Sequence, residues 1–183
     1  MSLMLLGILN SQVSGGGGAF DLLETVTLTA NSTLIDFSSI PQDYKHLQIR
    51  ATSRNTFANI EMAIGFNSDT GNNYTQHYLS GNGSTVTSAG NTAQPYTLAG
   101  ISARTAEAAG IFGLGVIDIL DFTNTSKNTT MRALGGLHSA GNSYIQLRSG
   151  AWLNTSAISS VQIKVFGQNF VAGSRFSLYG IKG

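Results

Sequence analysis

The sequence predicts an all-β protein, an antiparallel β-sandwich with a jelly-roll-like connection, carried behind an extended N-terminal arm. Three observations lead there. Apolar residues recur with period two from Phe20 onward, clusters of Asn, Asp, Gly and Ser separate the periodic stretches, and there are about nine or ten such stretches. Strand count alone does not separate a jelly roll from an immunoglobulin-like order.

The clearest strands alternate cleanly. "HLQIRATSR" sets Leu47, Ile49 and Ala51 against Gln48, Arg50, Thr52 and Arg54. "NIEMAIGFN" sets Ile60, Met62, Ile64 and Phe66 against Glu61, Ala63, Gly65 and Asn67. "VQIKVF" puts Val161, Ile163 and Val165 on one face, and "RFSLYGI" does the same with Phe176 and Leu178. Weaker strand patterns cover 24–29, 33–37, 74–80, 96–101, 112–122, 130–137 and 144–148. The Ala-rich "SARTAEAAG" around Arg104 is the one helix-capable stretch, long enough for about two turns. Residues 81–94, "GNGSTVTSAGNTAQ", read as a long exposed polar loop.

Composition narrows the function. The 183-residue chain has no cysteine, which excludes disulfide frameworks and thiolate metal sites. Only 10% of its residues are charged, and the net charge of +1 is scattered singly. No basic stripe marks a nucleic-acid partner, and no apolar run is long enough to span a membrane. A surface with so few charges tolerates close subunit contacts, because little charge needs desolvating.

Chemistry is sparse. His46, His77 and His138 fall in three separate segments, without metal-ligand spacing. His77 with Asp69 is the one base-and-orienter pairing to consider, but no Gly-x-Ser-x-Gly elbow accompanies it. "FNSDTGNNY" has oxygen ligands at Asn67 and Asp69, but it puts Gly71 and Tyr78 where a calcium loop needs oxygen donors. It reads as a hairpin turn. Gly113-x-Gly115 lacks a third glycine and a following helix, so those glycines read as a bulge or a close backbone approach. Asp118 and Asp121 fall on opposite faces of a strand and make no carboxylate pair. Tyr74, Tyr78, Tyr96, Tyr144 and Trp152 are the aromatics from which a sugar platform could be built, although strand aromatics more often pack in a core. No catalytic residue, cofactor site or metal site is expected.

The opening residues are the odd feature. Leu3, Met4, Leu5, Leu6, Ile8 and Leu9 form an apolar strip, followed by Gly15, Gly16, Gly17 and Gly18. A signal peptide would have a basic residue before the strip and an Ala-x-Ala-like site after it. A core strand would not need four glycines to decouple it from the body. The expectation is an arm and hinge over residues 1–18, docking on another chain, ahead of one sandwich domain over 19–183. Burying five or six such side chains contributes on the order of 10 kcal/mol before ordering costs.

Four stretches, "MLLGILNSQVSGG", "FSSIPQDYKHLQIRATSR", "NTSAISSVQIKV" and the ending "FVAGSRFSLYGIKG", together resemble small virion structural proteins of tailed bacteriophages. The resemblance implies a non-enzymatic β-sandwich that assembles, commonly as a homotrimer, on the outside of a phage head built in the host cytoplasm. There it would act as a decoration or cement protein on the major capsid protein or another virion protein. The alternative it implies is a tail-fibre or receptor-binding component recognising host surface glycans.

Overall fold

The computed structural model describes residues 18–183. The arm residues 3–9 and hinge glycines 15–17 lie outside the described residues. Twelve strands run in chain order: β1 (Phe20–Thr27), β2 (Leu34–Phe37), β3 (His46–Ser53), β4 (Glu61–Phe66), β5 (Tyr74–Gly81), β6 (Val86–Gln94), β7 (Thr97–Ile101), β8 (Gly113–Leu120), β9 (Thr129–Ser139), β10 (Asn142–Trp152), β11 (Val161–Lys164) and β12 (Arg175–Ile181). They form two antiparallel sheets, as the sequence predicts. One has eight strands in the order β1-β12-β3-β8-β9-β10-β5-β6, and the other has four, β2-β11-β4-β7.

The sheets pack face to face over one large apolar core. Leu47, Ile49, Ile117, Ile119, Phe176 and Leu178 come from the eight-stranded sheet, and Ile35, Phe37, Met62, Ile64, Phe66 and Ile163 from the other. These are the apolar sets that the period-two pattern assigns inward. A second, smaller cluster forms where Ile60, Ile101 and Ala103 meet Leu137 of β9.

Successive strands switch sheets repeatedly, so β1, β12, β3 and β8 face β2, β11, β4 and β7. Two hairpins, β5–β6 and β9–β10, add four more strands to one side of the larger sheet. Their roots reach the core through Tyr74, Met131, Ala133 and Trp152. Their outer portions extend past the four-stranded sheet, and β6 is almost wholly exposed.

Glycines make the overlap of the sheets possible. A Cβ on Gly113 would lie 2.7 Å from the Ile101 carbonyl oxygen, and one on Gly135 would lie 3.0 Å from the Ile101 amide and 3.1 Å from Gly100 Cα. Strand β7 therefore crosses β8 and β9 at backbone-contact distance, which is the close approach expected of Gly113-x-Gly115.

Three local expectations are corrected. Residues 81–94 are not a loop: 86–94 form β6, paired with β5 from Gly81↔Val86 to Tyr74↔Gln94. The Ala-rich stretch around Arg104 is turns rather than helix. The Arg54 guanidinium donates to the carbonyls of Ala108 (3.0 Å), Ile111 (3.2 Å), Thr105 (3.4 Å) and Glu107 (2.8 Å). Those carbonyls turn toward one cation instead of along a helix axis.

"FNSDTGNNY" is not a hairpin turn either, because β4 and β5 lie in different sheets. It is a clasp at the crossover between them. The Asp69 carboxylate accepts from Gly71 N (2.8 Å), Asn73 Nδ2 (2.9 Å) and the Trp152 indole N–H (2.7 Å). The Tyr74 hydroxyl accepts from Phe66 N at 2.9 Å. Burial pushes the Tyr74 hydroxyl pKa up to about 12.

Candidate functional site

Strand β10 carries the feature that sequence reasoning missed. In "YIQLRS" the apolar residues Ile145 and Leu147 alternate with the polar Gln146 and Arg148, so the ordinary rule puts the apolar pair inside. The structure has the opposite arrangement. Gln146 is 5% and Arg148 2% exposed, whereas Ile145 is 61% and Leu147 55% exposed. Full-length pairing of β10 with β9, from Asn142↔Ser139 to Trp152↔Thr129, fixes this register. Trp152, at the root, then points inward to the core.

The exposed side of β10 belongs to an apolar terrace on the outer face of the eight-stranded sheet. Pairing places Val116, Leu134, Leu147 and Leu79 side by side on β8, β9, β10 and β5. The next row holds Leu114, Gly136, Ile145, Gly81 and, on β6, Val86. Leu79 (49%), Val86 (72%), Leu114 (45%) and Leu134 (46%) are exposed like Ile145 and Leu147. Together these six present on the order of 500 Å² of apolar surface, near the upper limit for monomeric proteins. A groove of about 730 Å³ runs through the terrace over Gly136, between Leu114 and Ile145.

The third row is polar and borders the terrace. Asp118 accepts from Gln48 Nε2 (2.8 Å) and Arg132 Nε (2.9 Å), and Gln48 in turn accepts from Arg50 Nε (2.8 Å). Arg50 also lies over the rings of Tyr179 (4.7 Å) and Phe20 (5.6 Å). An apolar centre with a hydrogen-bonded polar margin is the anatomy of a protein interface.

The buried side of β10 faces a cleft. Beyond β7 the four-stranded sheet ends, and the inner faces of β10, β5 and β6 are left partly uncovered. The cleft there, about 330 Å³, is lined by Glu61, Gln76, Tyr78, Asn91, Gln94 and Tyr96, with Leu98 and Phe166. Arg148 Nη2 donates to Glu61 Oε1 (3.0 Å) and to Gln146 Oε1 (2.7 Å), and its guanidinium lies 5.2 Å from the Tyr78 ring. Tyr96 packs on Phe166 with ring centroids 4.6 Å apart, and Lys164 Nζ lies 5.6 Å from the Tyr96 ring. Burial, and then the Glu61 charge, raise the pKa of the Tyr96 hydroxyl.

The five aromatics singled out from sequence are thus divided. Tyr74 and Trp152 stack 6.4 Å apart in the core, Tyr144 packs beside the small cluster, and only Tyr78 and Tyr96 share a cleft.

The other polar groups singled out from the sequence lie apart from the cleft. No hydrogen bond or ion pair joins His77 to Asp69 among the described residues, since Asp69 is committed to the clasp and His77 stands exposed on β5. His138 Nδ1 meets the Ser143 hydroxyl at 2.8 Å across the β9–β10 hairpin, on the exposed face. Glu107 is buried and bonded to the Ser139 hydroxyl and to Arg104, and these contacts, the Ser139 bond foremost, hold its carboxyl below its ordinary pKa. Asp118 and Asp121 have separate partners: Asp118 has Gln48 and Arg132, and Asp121 has Lys45 and Lys127. Among the described residues no cluster of three His, Asp or Glu side chains could hold a metal ion. No helix there is long and apolar enough to cross a membrane.

No family model matches the chain, and neither the curated proteins nor the solved structures give a match.

Proposed function

We propose that this chain is a non-enzymatic structural protein of a tailed-phage virion, a decoration or cement protein that assembles on the outside of the head and stabilises it. The inverted polarity of β10 supports this reading most directly. A strand that buries Arg148 and Gln146 while exposing Ile145 and Leu147 is costly in an isolated monomer, and the cost is offset once the outer face is covered. A standard interface takes about 800 Å² from each partner, a little over half of it apolar, so the terrace supplies about the area that one contact requires. The nested strand order supports a jelly roll with two inserted hairpins. A ligand that binds only the assembled lattice stabilises it by mass action.

In this reading the chain forms a homotrimer through the terrace, and the apolar strip of residues 3–9 docks on the major capsid protein. Sedimentation equilibrium tests the first part. The full chain is expected as a trimer, and the double variant Leu134→Lys/Leu147→Lys as a monomer that keeps its far-UV circular dichroism but melts at a lower temperature, the stabilisation from association being lost. A full chain that sediments as a 19.2 kDa monomer at every concentration refutes the trimer. For the second part, a chain starting at Ala19 should lose affinity for purified heads; unchanged affinity refutes the arm.

The alternative, a tail-fibre or receptor-binding component recognising host glycans, is favoured by one observation, the tyrosine-lined cleft behind β5 and β6. Copy number separates the two: hundreds per virion for a cement, a handful for a fibre.

A further inference from the structure

We infer that the cleft between β4, β7 and the inner faces of β5 and β6 is a binding site for a neutral saccharide of one or two pyranose rings. Such a site would serve equally on a head or on a tail.

The site is built around a buried charge. Arg148, whose side chain is 2% exposed, fixes the Glu61 carboxylate at 3.0 Å. Because Oε1 is held there, the carboxylate is oriented without being removed from the cleft, where its side chain stays 26% exposed. Keeping a guanidinium inside a sheet is expensive unless its partners are fixed, and here Gln146 and the Tyr78 ring supply the remaining contacts.

The lining matches the chemistry of a sugar. A pyranose presents C–H groups on its faces and hydroxyls on its rim. Tyr78 and Tyr96 supply ring surface for the faces, and the Asn91 amide, the Gln94 side-chain carbonyl and the Glu61 carboxylate supply donors and acceptors for the rim, while Gln94 Nε2 already donates to the Thr92 carbonyl at 2.9 Å. The Gln76 carbonyl is already used, accepting Leu98 N at 2.9 Å, so Gln76 shapes the wall.

Electrostatics selects against charged ligands. The one acid of the lining, Glu61, is paired with Arg148, and no Lys or Arg is among the lining residues. A phosphate or a second carboxylate would therefore meet Glu61, and no cation, among the residues that line the cleft. The volume, about 330 Å³, is at the small end of ligand pockets, which sets the limit of one or two rings.

The test uses the labelled full chain on an array of immobilised oligosaccharides, with neutral hexose and N-acetylhexosamine glycans beside sialylated and sulfated ones. The strongest neutral glycan is then titrated by calorimetry. Neutral glycans should bind, Tyr96→Ala should weaken the best of them about tenfold, and Asn91→Ala should weaken it several-fold. Asn91 lies on exposed β6, so this second variant keeps the test informative if Tyr96→Ala fails to fold. Leu22→Lys, on exposed β1 at the opposite edge of the eight-stranded sheet from β6, should leave the affinity unchanged. Absence of binding across the array, preference for the charged glycans, or affinity unmoved by Asn91→Ala each overturns the inference.

Discussion

Asp69→Ala should be among the most damaging single substitutions outside the apolar core. The Asp69 carboxylate accepts three hydrogen bonds, and the three donors fare differently once it is removed. Gly71 N and Asn73 Nδ2 lie near solvent and regain water as a partner. The Trp152 indole N–H, on a residue 1% exposed, does not. A hydrogen bond to a charged group contributes about 1.5–3 kcal/mol, and a stranded buried donor costs about 1–3 kcal/mol. The expected loss is therefore about 2–4 kcal/mol. Trp152 is the chain's one tryptophan, so its emission reports this site during urea unfolding, and far-UV circular dichroism covers the variants that lack it. A double-mutant cycle with Trp152→Phe should return about 1–2 kcal/mol of coupling. Acid adds an independent check. The Asn73 amide first, then the indole, hold the Asp69 pKa below its ordinary value. The stability this gives is present above the unfolded-state pKa, about 4, and is lost as pH falls through the lower folded-state value. Asp69→Ala should flatten the acid limb of the stability curve in that window. A loss under about 1 kcal/mol together with zero coupling would refute the assignment of Asp69 as the partner of the indole.

Two further expectations concern packing. Gly135→Ala drives a methyl into the Ile101 and Gly100 backbone and should cost about 1–3 kcal/mol by overpacking, measured by urea denaturation; full stability would mean that β7 does not cross β9 as closely as described. Arg54→Met removes the cation that gathers four loop carbonyls, so amide exchange over 104–111 should accelerate while that of β3 stays slow.

The sandwich was legible wherever one face of a strand is dry and the other wet. Leu47, Ile49 and Ala51 on β3 and Val161 and Ile163 on β11 are buried as their alternation requires. Strand β6 was not legible, because both its faces are wet and "VTSAGNTAQ" has no periodicity for burial to impose. The Ala-rich stretch misled because a residue about fifty positions away, Arg54, takes its carbonyls. For β10 the alternation is present but reversed, a signal that becomes visible only once Trp152 fixes the phase. The cleft joins Glu61 to Arg148, 87 positions apart, and no local pattern encodes that meeting.

The β5–β6 hairpin is anchored at its root through Tyr74 and lightly constrained at its tip. In the β5–β6 turn the Asn82 side-chain oxygen accepts from Ser84 N and Thr85 N, bonds that stay within the turn itself. Residues 82–85 can therefore drift, lengthen or exchange without renegotiating the interior. Partner choice and fold become separately heritable, and a lineage could retarget the surface many times over on one unchanged scaffold.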